Sequence, residues 1–239
     1  MDRGPGFRPE KISAGWKPLP RIFDLMEDQD PDIFFDEHAD TLKTARYLPH
    51  WRQDGKLYFV TWRQKDGLPK ERLEELVGDR EAWQRTHGHS NPNDLTVHLR
   101  KEYTRLYRER VEQWLDAGHG SCVLKQEAAR SIMVEALHHF DGVRYRLGSY
   151  AIASNHVHVL VLPLGDLSLS GILHSWKSFT SNAINKLTGR SGSLWQDESY
   201  DRLVRDADEL HGFEEYIAAH ARNGHFVQRI HLADGQVGN

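Results

Sequence analysis

The sequence predicts an α+β sandwich: one antiparallel sheet with helices on one face, enlarged by a helical insertion and an N-terminal extension. Two observations carry that prediction. Two β-rich runs, 143–153 and 156–163, are joined only by Ser154-Asn155, which reads as a hairpin. The order of elements is then strand, helix-rich insert, strand, strand, helix, strand, helix, the sequence expected of a sheet with segregated helices.

Each element has a local reason. Lys56-Leu-Tyr-Phe-Val-Thr-Trp62 is aromatic and β-branched and follows Asp54-Gly55, so it reads as the first strand of the sheet. Pro69 opens a helix over 70–77. The polar stretch from Trp83 to Pro92 then reads as a loop between helices. In 94–116 the residues Leu95, Leu99, Tyr103, Leu106, Val111 and Trp114 recur at helical spacing, and Gly118 ends the run. A further helix is expected over 127–139 with Ile132, Met133, Ala136 and Leu137 on its apolar side. After the hairpin, Ile172, Leu173, Trp176, Phe179, Ala183 and Ile184 mark a helix over 169–187. Ser193–Gln196 with Tyr200–Val204 makes a short strand segment, and Asp206 caps a last helix running to about Ala221.

Composition sets the broad class. The chain has 239 residues, 38% of them hydrophobic and 28% charged, and a mean hydropathy of −0.67, as expected of a globular protein with a polar surface. No run approaches ~18 apolar residues and the N-terminus lacks an apolar core, so a membrane span and a secretion signal are disfavoured. The single cysteine, Cys122, excludes an internal disulfide and a cysteine-based zinc cluster, and fits a reducing cytoplasm. Net charge is −4, which taken whole argues against a nucleic-acid partner. The distribution removes that argument and permits a nucleic-acid surface without demanding one, because eight acids and no Lys or Arg lie between Asp24 and Asp40. From Gly142 to Gln196 five basic residues face one acid. Residues 1–45 are therefore expected to form an acidic extension, partly disordered and partly lying on a domain of residues 46–230, with 231–239 as a tail and the helical insertion at about 67–140.

Fifteen histidines are well above ordinary usage. His156-Val157-His158 places two imidazoles at i and i+2, hence on one face of a strand and within reach of one metal ion. About one such pair is expected by chance in a chain this rich in histidine, and His87-Gly88-His89 is a second. Context separates them. His156 and His158 alternate with Val157, Val159 and Val161, so one face of the strand is aliphatic while the other opens with chemistry. His87 and His89 read as solvated loop residues, and two satisfied core histidines remain an open reading of the first pair. Downstream, Tyr216 and His220 stand at i and i+4 on one helix face, with Phe213 and Ile217 as the docking stripe. If that helix packs across the strand carrying His156 and His158, His220 becomes a third nitrogen ligand and Tyr216 stands beside the metal. A tyrosine with an ordinary pKa of about 10 is a poor nucleophile near neutral pH, and metal polarisation of the electrophile would help it.

In this arrangement the chain resembles the HUH single-tyrosine transposases of bacterial insertion sequences, nearest to the branch called REP-associated tyrosine transposases. The matching pieces are Tyr47-Leu-Pro-His50, Tyr58-Phe-Val-Thr61, Ala153-Ser-Asn-His-Val-His-Val-Leu160, His174-Ser-Trp-Lys-Ser-Phe179, Leu194-Trp-Gln196, Tyr200-Asp-Arg202, Arg205-Asp206 and Glu215-Tyr-Ile217. Their order spans roughly four fifths of the chain. The resemblance implies a ferredoxin-like fold, a divalent metal (Mg²⁺ or Mn²⁺) at His156, His158 and the residue four after the tyrosine, and Tyr216 as nucleophile on single-stranded or hairpin DNA. It implies transesterification through a 5′-phosphotyrosine and a free 3′-OH, without a nucleotide cofactor, in a bacterial cytoplasm at the nucleoid. Arg144, Arg146, Lys177, Lys186 and Arg190 with Trp195 are candidates for the DNA surface, whereas Trp176 reads as core. A homodimer is left open.

Two departures matter. Ala218-Ala-His-Ala-Arg-Asn223 replaces the family's usual Asn-Asn-Pro-Val-like ending, so the third ligand is His220. Three imidazoles should shift preference toward Mn²⁺, Co²⁺ or Zn²⁺. The second is the acidic extension itself, read as a solvated tail. Tyr200 is the competing nucleophile, ranked below Tyr216 because it falls in a strand-like segment. The alternatives are a catalytically silent hairpin-binding protein on the same fold and a three-histidine metal hydrolase in which water attacks.

Overall fold

A computed structural model describes residues 33–45, 49–88 and 96–228. Strands β3 (Tyr58–Arg63), β4 (Tyr145–Ile152), β5 (His156–Pro163), β6 (Tyr200–Leu203) and β7 (Phe226–Gln228) form a five-stranded sheet in the order β6-β3-β5-β4-β7. Every pairing is antiparallel. Helices α3 (Glu127–His138) and α4 (Leu169–Thr188) connect β3 to β4 and β5 to β6. With β7 set aside, the chain runs βαββαβ with strand order 4-1-3-2, which is the ferredoxin-like arrangement. The remaining elements are a hairpin of β1 (Leu42–Ala45) and β2 (Pro49–Arg52), the inserted helices α1 (Lys70–His87) and α2 (Val97–Asp116), and α5 (Ala207–Ala219).

Strand alternation divides the core in two. Tyr58, Val60 and Trp62 of β3 and Val157, Val159 and Val161 of β5 point to the face covered by α3 and α4, where Met133, Leu137, Ile172 and Trp176 complete the packing. Phe59, Leu160 and Leu162 point the other way and meet Leu210, Phe213 and Ile217 of α5. The expectation of helices on one face therefore holds for α3 and α4, while α5 crosses to the opposite face. It does so because Phe213 stacks on Phe59 at 4.2 Å, and Phe59 belongs to the second face of β3. The predicted β4–β5 hairpin forms, closed by the Ala153 N–H donating to His156 O at 3.0 Å. Midway along its length β4 carries a bulge, and there Gly148 lies so close to β5 that a Cβ would come within 2.8 Å of Leu160 Cβ.

The insertion departs from expectation. The stretch from Trp83 was expected to be a loop, yet α1 continues to His87 before Gly88 ends it in the left-handed conformation at φ 68°. Trp83 gives that turn a reason to stay helical, because its ring packs against Tyr103 of α2 at 5.0 Å and stacks on His87 at 4.2 Å. His87 is thus a packed helix-end residue and not a solvated one, and His89 lies outside the described residues. So does the acidic run before residue 33. Ile33 and Phe35 are backbone-bonded to Leu57 and Val204 and pack against the sheet. No helix among the described residues is long and apolar enough to cross a membrane.

Candidate metal and tyrosine site

The second face of β5 reads His156, His158, Leu160, Leu162 from its start. Its apolar half seats α5, and its polar half is left for the end of that helix. Asp206 fixes where α5 begins, its side chain accepting from Glu209 N at 2.7 Å, while Glu209 accepts from Arg205 N and binds the Arg202 guanidinium. Leu210, Phe213 and Ile217 then dock the helix, which sets Tyr216 and His220 over the two histidines.

His156, His158 and His220 are all buried, and one ring nitrogen from each lies within 4.8 Å of the others. Each ring is held by its Nδ1. Asn155 Nδ2 donates to His119 O at 3.0 Å, which turns its Oδ1 toward His156 Nδ1 at 2.8 Å. His220 Nδ1 donates to the Tyr216 carbonyl at 2.9 Å, and His158 Nδ1 meets Thr61 Oγ1 at 2.7 Å. A ring whose Nδ1 carries the proton presents an Nε2 lone pair, the form that ligates a metal. The buried Nε2 atoms of His156 and His220 have no hydrogen-bond partner within the described residues. Burial, with His220 and His225 nearby, pushes His156 down to about 3, so its ring is neutral at any physiological pH. Orphaned, buried imidazole nitrogens within 4.8 Å of one another fit a divalent cation better than they fit a satisfied core.

The Tyr216 hydroxyl stands 3.4 Å from His158 Nε2, and its ring meets Phe59 and His158 edge-on. Tyr200 sits on β6 opposite Thr61 and packs edge-on to Phe59. Tyr216 is therefore the tyrosine presented to the histidines by α5.

Two residues escaped the sequence reading. Asp116, the last residue of α2, has Oδ1 3.7 Å from His156 Nε2 and 3.9 Å from His220 Nε2. His225 lies just past the short 3-10 turn His220–Asn223, its ring 6.0 Å from that of His220, and burial with His220 lowers its pKa. Neither has a spacing to any partner that marks it in the sequence.

The expected DNA-contacting set is not gathered around the tyrosine. Trp195 is buried, edge-on to Trp62, with its indole N–H donated to Thr180 Oγ1 at 2.8 Å, so it offers no face on which a base could stack. Lys177 spends its Nζ on the Gln196 and Asp197 carbonyls, and burial pushes it down to about 8. Lys177 and the exposed Lys186 belong to α4, on the face away from the histidines. Arg144 lies over the Phe140 ring, and Arg146 is half-buried on β4. Arg190 differs: it pairs with Asp66, whose carboxylate also accepts from Ser121 N, beside the loop that follows Asp116. A cavity of about 410 Å³ between the insertion and the sheet is lined by Thr61, Arg63, Tyr200, Arg202 and Trp51, and Thr61 is the one of these that also bonds His158.

No family model matches the chain, and no curated protein does. Among solved structures it is similar to one described as a REP-associated tyrosine transposase bound to a REP hairpin, at 12% identity over 76% of this chain and 74% of that one, with a TM-score of 0.39. It is also similar to a "putative transposase" from Deinococcus radiodurans r1, at 12% identity over 74% of this chain and 97% of that one, with a TM-score of 0.29. Likeness at this level carries no weight for chemistry, which stands on the strand order and the side chains above.

Proposed function

We propose that the protein is a metal-dependent single-stranded DNA endonuclease and strand transferase of transposase type, with Tyr216 as nucleophile and His156, His158 and His220 as metal ligands. The observation that carries this reading is the Tyr216 hydroxyl 3.4 Å from His158 Nε2, at a buried cluster in which two other imidazole nitrogens lack partners. A bound Mg²⁺ or Mn²⁺ would polarise a non-bridging phosphate oxygen and stabilise the charge that develops there. The chain's own residues do the rest. Asn155, Thr61 and the Tyr216 carbonyl orient the three rings. Phe59 and His158 hold the phenol ring in place. Tyr216 Oη attacks phosphorus as the bond from phosphorus to the 3′ oxygen breaks. The phenol proton ends on that departing oxygen, leaving a 5′-phosphotyrosine and a free 3′-OH. The bond energy is conserved, so no nucleotide cofactor enters. The substrate we assign is hairpin DNA with a flanking single strand, and Arg63 and Arg202, which line the cavity beside Thr61, are cations we assign to its backbone together with Arg190.

Incubation with Mn²⁺ and hairpin oligonucleotides bearing single-stranded flanks, followed by denaturing electrophoresis, tests the proposal. A covalent protein–DNA adduct that disappears in Tyr216→Phe is the expected result. Cleavage that survives Tyr216→Phe would make the protein a three-histidine hydrolase, and binding without an adduct would make it a silent hairpin-binding protein.

A further inference from the structure

We propose that Asp116 is a fourth ligand of the metal centre, so that the helical insertion between β3 and β4 closes the site. This rests on the metal-binding reading of His156, His158 and His220. The carboxylate oxygen is 3.7 Å from His156 Nε2 and 3.9 Å from His220 Nε2, too far for a hydrogen bond to either. It is within the range of two atoms bound to one ion, roughly 3.0 Å for neighbouring and ~4.2 Å for opposite donors of an octahedral ion with bonds of ~2.1 Å. Both nitrogens are buried and lack hydrogen-bond partners within the described residues, and one carboxylate oxygen of Asp116 lies within 4 Å of each.

The position of Asp116 is built, not accidental. Its neighbour Leu115 is buried against the domain, and Gly118 ends the helix in the left-handed conformation. The loop that follows is stitched to the ends of the sheet strands at three places. Asn155 Nδ2 donates to His119 O, Ser121 N donates to Asp66 Oδ2, and Leu124 N donates to Ser154 O. Gly120 lies so tightly on Asp66 that a Cβ would collide with the Asp66 carbonyl oxygen. Asn155 therefore bonds the insertion with its amide nitrogen and His156 with its oxygen. The carboxylate also matters chemically. Three neutral imidazoles leave a divalent ion's charge intact, whereas one carboxylate removes half of it and adds a hard oxygen donor that Mg²⁺ and Mn²⁺ accept more readily than imidazole.

The test is calorimetric titration of the full-length protein and of Asp116→Asn with Mn²⁺, with amide hydrogen exchange followed over 112–121 in each. Wild type should bind one ion and slow exchange in that segment on binding. Asp116→Asn should bind at least ~10-fold more weakly and lose the metal-dependent slowing. Equal affinity in the two proteins, with exchange at 112–121 indifferent to metal in wild type, would overturn the assignment while leaving the three-histidine site standing. Wild type that binds no metal would overturn both. Side-chain exposure of 36% makes Asp116→Asn a mild change for folding. The wild-type exchange measurement decides the question even if that variant is unstable.

Discussion

The two faces of the sheet are made by the same strands and do different work. Toward α3 and α4 the inward positions are almost all aliphatic or aromatic, and Trp176 gives its indole N–H to Tyr145 Oη at 2.9 Å while Trp195 gives its own to Thr180 Oγ1. Toward α5 the packing is complete only over half the face. Phe59, Leu160 and Phe213 fill that half, and beyond them lie three buried imidazoles, two of which, His156 and His220, have Nε2 atoms without a hydrogen-bond partner among the described residues. Burial on the first face contributes stability alone. On the second, a stretch of apolar docking places groups that would be costly to bury unless something else meets them.

The difference can be broken most sharply at Tyr216. Tyr216→Phe is expected to abolish the covalent DNA adduct, with a fall of at least ~10³-fold in strand cleavage on denaturing gels. Its melting temperature should stay close to wild type, since the ring still packs on Phe59. Next comes truncation on each face. Trp176→Ala should cost ~3–5 kcal/mol in denaturant unfolding and leave Mn²⁺ affinity of the folded protein unchanged. Phe213→Ala should cost a similar amount and also weaken Mn²⁺ binding, because α5 carries His220. Equal metal affinity in those two variants would erase the division between the faces. A smaller effect is expected at His220→Asn: affinity for Zn²⁺ and Co²⁺ should drop by ~10–100-fold relative to Mg²⁺, read by competitive titration.

A last effect lies outside the site. His50 is buried, which lowers its pKa, but bonds to Asp201 and Glu198 outweigh that and raise it to about 9. The folded state then holds a proton that the unfolded chain, at an ordinary 6.5, releases. His50 thus contributes stability in full below about pH 6.5 and loses it as pH rises through about 9, up to about 3 kcal/mol. Urea midpoints measured across that window should fall in wild type and flatten in His50→Gln.

Much of this molecule is legible in its sequence where the signal is local. The β4–β5 hairpin follows from two β-rich runs and a two-residue joint, and α5 from its Asp206 cap and its apolar stripe. The H-x-H pair becomes specific once valines alternate with it. What is not legible depends on contacts between distant segments. The helical turn at Trp83 is held by Tyr103, twenty residues on, so its polar neighbours mislead. The side taken by α5 is decided by which parity of β3 it meets. Asp116 and His225 reach the site through the insertion's docking and the turn after His220. Trp195 looked like a stacking residue because a lone tryptophan after a turn carries no sign of burial, and its bond to Thr180 appears only once α4 is in place.

Phe59 has a consequence of its own. Its single ring touches Phe213, His158, Tyr216 and Tyr200 at centroid distances of 4.2, 5.7, 5.9 and 6.4 Å. The Tyr216 ring, the proposed nucleophile, is therefore aimed by an apolar residue with no chemistry. Rotamer entropy that a tyrosine on an open helix would surrender in each turnover is surrendered once, when the chain folds.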